Sequence, residues 1–484
     1  MEKENKALFI IFGGSGDLAR RKLYPSLFRL YLNGVLKKDF AVIGTSRREW
    51  PDEYYENIVM DSIKEVNGAT DENTQSFVKH FFYQSNDVND VEHFHILKQR
   101  ASKIAQKFNV NGPWIYYLAM APTLFGTIAK NLARSDFLDS NHPNRLVIEK
   151  PFGHDFDSAK ELNDEIKQAF SEDDIYRIDH YLGKEIVQNI VPLRFANPIL
   201  KEVWNNKFIS NIQITLTEEV GVEQRAGYYE NSGALRDMVQ NHISQIITLL
   251  TMEEPLSLNP KDFVNNKYQV LASINNFSKE ELKNNFVRGQ YRAGNGFLGY
   301  REEEGVSDDS KIETFAAGKF VIQNNILNGV PIYFRTGKRL KQKQSRVDVV
   351  FKSKKDGIYS EAQSDVLSIL IDPVSGYRLK YNGKSIGDNR NLDQFSGERI
   401  LKDAEHHQMP EAYQRLVHDV LNGDKTNFVQ WQELSASWKL IDQIIGFWNE
   451  APLSDEFFYE AGSMGPKSAN ELVARDQNYW VYQG

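Results

Sequence analysis

Residues 177–184 read Arg177-Ile178-Asp179-His180-Tyr181-Leu182-Gly183-Lys184. His180, Tyr181 and Lys184 offer an imidazole, a phenol and an ammonium within a short stretch, the fixed donors and positive charge that a phosphate needs. Asp179 adds a carboxylate able to orient a histidine brought from elsewhere in the fold. A grip on an anion beside an acid–base pair fits chemistry on a phosphorylated small molecule. Taken alone, the octapeptide is a polar loop ahead of a helix. Two upstream motifs change its weight.

The first is Gly13-Gly14-Ser15-Gly16-Asp17-Leu18-Ala19, which follows the apolar run 8–12 and precedes Leu23, Leu27, Leu30 and Tyr31 at helical spacing. It fits Gly14-x-Gly16-x-x-Ala19 and equally Gly13-x-x-Gly16-x-x-Ala19. Glycines there permit positive φ and let the backbone approach a pyrophosphate seated at the helix N-terminus. A glycine pattern by itself is weak evidence, because many turns hold three glycines; its place between strand and helix gives it meaning. The Gly-Lys-Ser/Thr ending of a P-loop is missing, which favours a dinucleotide over a nucleoside triphosphate. A second apolar run, 40–43, ends in Gly44-Thr45-Ser46-Arg47-Arg48. Asp or Glu at that point suits the ribose hydroxyls of NAD, whereas arginine suits a 2′-phosphate. We expect NADP, with Arg47 its main contact and NAD the alternative; the competing reading is a solvated surface pair.

The second motif is Glu149-Lys150-Pro151-Phe152-Gly153, just past a strand candidate at 145–148. Lys150 is thereby placed at the carboxyl edge of a parallel sheet, where such sheets bind ligands. An exposed strand-end lysine is the plain alternative.

These motifs need elements to hold them. Strand candidates at 8–12, 40–43, 114–120 and 145–148 alternate with helical patterns, such as Ala159, Leu162, Ile166 and Phe170, up to about residue 180. That alternation predicts an α/β domain over 1–180, Rossmann-like, with a doubly wound parallel sheet. Beyond it, Ile212, Ile214 and Leu216 alternate with Gln213, Thr215 and Thr217, the period of a strand with one face covered. Further strands at 347–351, 366–371 and 377–381, with helices at 235–252 and 411–421, predict a larger α+β domain over 181–484 with a mainly antiparallel sheet. The acidic stretch 301–311 reads as a solvated loop.

In the helix after Gly233, Leu235, Val239, His242, Ile246 and Leu249 share one stripe. A histidine on an apolar stripe is more often a core residue than a catalyst, and pattern alone favours that reading. Its flanks, Arg236-Asp237 and Gln240-Asn241, point part of the helix towards a polar cleft. Asp237 lies about 140° from His242 on an ideal helix, which makes Asp179 the better candidate orienter.

Composition narrows the classes. A formal charge of −8 argues against general binding to nucleic acid or anionic membrane, so an anionic substrate needs a local positive pocket. The chain has no cysteine, which excludes disulfides, thiolate catalysis and Cys-ligated metal. Residues 1–6 are charged, unlike a signal peptide, and no apolar run approaches membrane-spanning length. A cytoplasmic protein is expected.

Taken together, these segments resemble the glucose-6-phosphate dehydrogenase family, particularly its bacterial members, nearly end to end: residues 13–25, 149–151, 177–185, 225–242 and 335–340, with His418-Asp419 and Trp438-Lys439. The octapeptide with Glu185 is that family's signature; Glu-Lys-Pro also occurs in other sugar oxidoreductases. The resemblance implies oxidation of the anomeric carbon of glucose 6-phosphate to the lactone, with hydride passing to the nicotinamide, the first step of the oxidative pentose phosphate pathway. It implies that His242 is the general base, against the core-histidine reading, and that Asp179 orients it. It places the phosphate on His180, Tyr181 and Lys184, and further sugar and phosphate contacts on Glu218, Asp237, Lys338 and Lys343. Lys150 stands between cofactor and substrate, with Lys22, Arg47 and the turn Gly13, Gly14, Ser15, Gly16, Asp17 and Leu18 on the cofactor side. A homodimer built on the second-domain sheet is implied, and no metal is needed, because hydride transfer to nicotinamide requires none. The rivals are a sugar dehydrogenase of broader specificity and a catalytically silent NADP-binding sensor.

Overall fold

The computed structural model describes residues 5–138, 141–274, 276–353, 356–387, 391–402, 405, 408–453 and 455–484. The chain divides into two units, one of Met1–Gly183, Asn259–Lys261 and Pro410–Gln432, the other of Lys184–Leu258, Asp262–Met409 and Glu433–Gly484.

The first unit is built on β1 (Ala7–Phe12), β2 (Phe40–Ser46), β3 (Phe81–Ser85), β4 (Trp114–Leu118), β5 (Asn144–Ile148) and β6 (Ile175–Arg177), in the order β3-β2-β1-β4-β5-β6. Every pairing is parallel. Helices cover both faces of such a sheet, so its strands read as continuous apolar runs, and all six residues of β1 are buried. The doubly wound architecture expected from the alternation of elements is the one observed.

The division expected at residue 180 differs from the structure at Pro410–Gln432, which folds with the first unit. Its helix, Ala412–Asn422, adds Leu416, Val417, Val420 and Leu421 to the core that holds Leu27 and Phe28. Gly423, at φ 76°, ends that helix in the left-handed conformation that glycine adopts without strain. Arg145 of β5 donates to the helix's last carbonyls, Val420 at 2.5 Å and Leu421 at 2.8 Å. The Val429 amide then reaches the Arg177 carbonyl at 3.1 Å, closing the edge of the sheet beyond β6. No local pattern announces a return over such a sequence distance.

The second unit carries β7 (Ile209–Thr217), β8 (Phe286–Arg292), β9 (Phe315–Val321), β10 (Pro331–Gly337), β11 (Gln344–Phe351), β12 (Val366–Asp372), β13 (Gly376–Lys384), β14 (Leu392–Ile400) and β15 (Phe458–Glu460). Their order is β14-β13-β12-β11-β7-β10-β9-β8-β15. The sheet is mainly antiparallel, as expected, but β7 and β10 run parallel, as do β8 and β15. The one-sided burial expected of β7 is not found: Gln213, Thr215 and Thr217 are as buried as Ile212, Ile214 and Leu216. The C-terminal tail covers the polar face. Gln213 donates to the Tyr479 carbonyl and accepts from the Val481 amide, both at 2.8 Å. Arg335 of β10, beside it, lies over the Trp480 ring at 4.3 Å.

The stretch 301–311 is not simply a solvated loop either. Glu303 is buried, accepting from the Tyr291 hydroxyl at 2.7 Å and the Glu223 amide at 2.9 Å. Its acidic neighbours Glu302, Glu304, Asp308 and Asp309 are the exposed ones. No helix among the described residues is long and apolar enough to cross a membrane.

Candidate active site

Parallel register makes the carboxyl edge of the first unit's sheet level. Phe12 pairs with both Thr45 and Leu118, Leu118 with Ile148, and Ile148 with Arg177. The loops that leave this edge carry the candidate residues: 13–18 after β1, Arg47 after β2, Lys150 after β5 and Asp179 after β6.

Gly13 adopts φ 89°, and a side chain there would strike the Ala119 carbonyl. At Gly14 an added Cβ would lie 2.8 Å from Gly44 Cα of β2, so the turn and the neighbouring strand touch backbone to backbone. The amides of Gly13 and Gly14 are taken by the Thr45 carbonyl, at 3.0 and 3.1 Å, and that of Gly16 by the Gly13 carbonyl at 2.9 Å. The amides of Ser15, Asp17 and Leu18 find no backbone acceptor outside helices among the described residues. They stand at the helix start, where the dipole favours an anion. The glycines therefore shape the turn, and the residues between and after them are the donors that fit a pyrophosphate. Sequence reading missed two supports of this turn. The Tyr24 hydroxyl donates to the Gly14 carbonyl and pairs with Tyr55 at 2.6 Å. Burial pushes both phenols well above their ordinary range, so they remain protonated donors.

Arg47 and Arg48 are both exposed, but only Arg48 is engaged, with its guanidinium 5.5 Å from the centre of the Trp50 ring. No side-chain hydrogen bond of Arg47 is found among the described residues, and its charge is among those that lower the Asp87 carboxyl, after the Asn89 amide. Lys22 is half-exposed and faces Glu411 at 3.6 Å.

The Lys150–Pro151 bond is cis. Beside Lys150, the Glu149 carboxyl accepts from the Tyr117 hydroxyl at 2.6 Å and from Tyr413 at 3.4 Å. Burial raises it to about 7, against the lowering effects of both phenols and the Lys150 charge. Residues 179–183 form a tight turn rather than part of a helix. The buried Asp179 carboxylate accepts from the Tyr181 amide at 2.9 Å, and the first helix begins at Glu185. Arg177 is structural: it pairs with Glu172 at 2.6 Å and with Asn163 at 2.8 Å.

In the second unit, His242 is buried in a π-helical segment, Leu235–Ile243, that continues as an α-helix, Ser244–Thr251. Nearly every residue of this helix is buried, so the apolar stripe is not a boundary between core and solvent. The 140° separation expected for Asp237 and His242 does not hold. Hydrogen bonds to the fifth residue bring positions five apart much closer around the axis than in an α-helix. Asp237 accepts from the Tyr228 hydroxyl at 3.3 Å.

The parallel register Thr217↔Gly337 sets the next residues, Glu218 and Lys338, side by side. They form an ion pair at 2.6 Å. The basic run 335–343 thus starts inside a strand and ends outside: Lys343, half-exposed, pairs with Asp372 at 2.7 Å and does not join Glu218. Tyr229 was missed. It is fully enclosed, its ring 5.1 Å from the Lys338 ammonium, and burial with the nearby charges of Asp237, Glu313 and Glu218 raises its pKa far above the ordinary value. Only its position beside Tyr228, ahead of the His242 helix, could have signalled it.

A sheet of this order, with a glycine turn after its first strand and an arginine after its second, defines a nicotinamide-dinucleotide-dependent oxidoreductase. The comparisons with known proteins agree. Residues 10–189 match the model of the glucose-6-phosphate dehydrogenase NAD binding domain, and residues 191–481 that of the family's C-terminal domain. The chain belongs to the glucose-6-phosphate dehydrogenase family. It is 46% identical to the glucose-6-phosphate 1-dehydrogenase of Streptococcus pneumoniae, over 99% of this chain and 97% of that one. With that of Leuconostoc mesenteroides it shares 44% over the whole of both. A glucose-6-phosphate dehydrogenase solved in complex with glucose-6-phosphate superposes with a TM-score of 0.91 at 33% identity, over 100% of each chain. The enzyme of Mycobacterium avium gives 0.83 at 30%, over 99% of each.

The raised pKa of Glu149 has a consequence for stability. Between its ordinary value near 4.5 and about 7, the folded protein keeps a proton that the unfolded chain has lost. Stability from this group is greatest below that window and falls as pH rises through it. Glu149→Gln, which cannot ionise, should remove this part of the decline; melting temperatures at pH 5 and pH 7.5 check it, with the wild-type difference shrinking in the variant.

Proposed function

We propose that this chain oxidises glucose 6-phosphate at the anomeric carbon to 6-phosphogluconolactone with NADP as the preferred acceptor, NAD being the alternative. The observation that carries the reading is the signature run Asp179–Lys184 at the carboxyl edge of a dinucleotide-binding sheet, in a chain that matches this family over both of its domains.

The nicotinamide supplies a hydride acceptor when bound. What remains for the protein is to hold the sugar and manage one proton. His242 takes the proton of the anomeric hydroxyl while the hydride leaves the same carbon. Removal of the proton alone would give an alkoxide, and of the hydride alone a cation; loss of both lets the carbonyl form. Asp179 orients the imidazole and stabilises its charged form. His180, Tyr181 and Lys184 hold the phosphate, and Lys150 stands between sugar and cofactor. Glu218, Asp237 and Lys338 meet the sugar hydroxyls. Lys343 joins the phosphate side at little cost, because a solvent-exposed pair such as Lys343–Asp372 is worth about 0–1 kcal/mol. The family resemblance and the donor chemistry support these roles. NADP is favoured by Arg47, whose neighbour Arg48 is already committed to Trp50.

We further propose a homodimer and a cytoplasmic location. Leu379, Tyr381 and Phe395 of β13 and β14 are exposed at the end of the nine-stranded sheet, where a second copy would cover them. Cysteine-free composition and a charged metabolite as substrate fit the cytoplasm.

Three measurements test this reading. His242→Asn should lower kcat by orders of magnitude while glucose 6-phosphate binding is retained, because it removes a proton acceptor and no anchor; near-normal turnover would refute the base assignment. Reduced-nicotinamide formation from glucose 6-phosphate should exceed that from glucose, with NADP ahead of NAD at equal concentrations, and Arg47→Ala should shrink the NADP advantage. No turnover from folded protein would favour the sensor, and equal use of glucose the broader dehydrogenase. Sedimentation velocity should give twice the chain mass of 55.8 kDa, and a monomer at micromolar concentration would refute the dimer.

A further inference from the structure

We propose that Glu313 is a positioning residue for His242: by accepting from the start of the π-helical segment it fixes the register, and so the direction, of the imidazole seven positions on in the same buried helix. The inference rests on His242 being the base.

A π-helical segment is rare and gives poorer backbone geometry than an α-helix, so something outside it must hold it. Here the holding group is one residue from the chain just ahead of β9. Two successive donors at the segment's start go to Glu313: the Ala234 amide to its backbone carbonyl at 2.9 Å, and the Leu235 amide to its carboxylate Oε1 at 3.0 Å. Glu313 is 7% exposed. Its burial is opposed by the charges of Arg236 and Arg288. Gly233, at φ 68°, makes the approach possible, because any side chain there would run into the Glu313 carboxyl.

The other end of the helix is held with the opposite sign. Arg194, 1% exposed, donates to the carbonyls of Leu249 at 2.6 Å and Met252 at 2.7 Å. A carboxylate at the N-terminus and a guanidinium at the C-terminus both complement the helix dipole. Between them, Gln240 donates to Ser437 at 3.0 Å and Gln245 accepts from Lys267 at 3.2 Å, which fixes rotation about the axis. Lys267 is itself anchored to the buried Glu433 at 2.9 Å. With so many fixed points, one residue of slip at the start would swing His242 by roughly a quarter turn. At the N-terminal end Glu313 is the group that opposes the slip, because it takes two consecutive amides and not one.

Two conservative variants separate reach from charge. Glu313→Gln loses the charge but keeps an oxygen at the same distance from the Leu235 amide. Glu313→Asp keeps the charge and falls one methylene short. A displacement of about 1 Å costs about 100-fold in rate, so kcat of Glu313→Asp should drop by about that factor, with the KM for the dinucleotide unchanged and with kcat largely restored in Glu313→Gln. A gap between the two variants of less than about tenfold, or a Glu313→Gln slower than Glu313→Asp, overturns the proposal. Should Glu313→Asp not accumulate as folded protein, Gly233→Ala presses on the same carboxyl; its kcat should fall likewise, and an unchanged kcat overturns the proposal. His242→Asn, run alongside, keeps the two claims apart. Normal turnover in that variant defeats the base assignment itself; an inactive His242→Asn beside an unimpaired Glu313→Asp defeats only the role of Glu313.

Discussion

Parallel strand pairing is the constraint on which the first unit's chemistry depends. Each crossover through a helix returns the chain to the same end of the sheet, so the loops after β1, β2, β5 and β6 must all leave from one edge. Neighbouring strands lie about 4.8 Å apart, which spreads Arg47, the glycine turn, Lys150 and Asp179 along an edge about 19 Å long. None of these residues needs a long reach, because backbone hydrogen bonding has already placed it. The turn itself is shaped by its own glycines and held in addition by Tyr24 and by contact with Gly44.

The second unit repeats the device on a smaller scale. Its sheet is mainly antiparallel, an arrangement that sends the ends of neighbouring strands to opposite edges. The parallel pair β7 and β10 is the exception at the centre, and its register delivers a partly exposed Glu218 and a buried Lys338 to the same edge as an ion pair. Around it the unit keeps several charges out of water. Such groups are tolerated only when partnered, since an isolated buried charge is strongly destabilising. Glu313, Arg194, Lys267 and Glu433 all have partners on or beside the helix of His242.

Much of this was legible in the sequence because it is local. Continuous apolar runs marked β1, β2, β4 and β5, since strands covered on both faces have no polar positions to alternate with. The glycine turn, the arginine after β2 and the octapeptide depend on neighbours a few residues away. The legible part failed where distant chain altered a local pattern. The alternation in β7 was real, but the C-terminal tail buried its polar face. The acidic stretch around Glu303 looked solvated because the phenol of Tyr291 that receives it is not adjacent in sequence. The helical stripe through His242 was read at the α-helical period, and the π-helical hydrogen bonding that re-aims Asp237 leaves no trace in residue spacing.

The sequence by itself determined the class of fold, the dinucleotide turn, the signature run and the family, because each is carried by residue types at short, fixed spacing. Tertiary structure alone decided that Pro410–Gln432 completes the first unit, that Glu218 meets Lys338 while Lys343 turns to Asp372, and that Glu313 accepts from the start of the helix that carries His242. These are pairings between residues that lie from about 30 to more than 270 positions apart in the chain. Their energies come from burial and from register across a sheet, and neither exists until the distant partner has arrived.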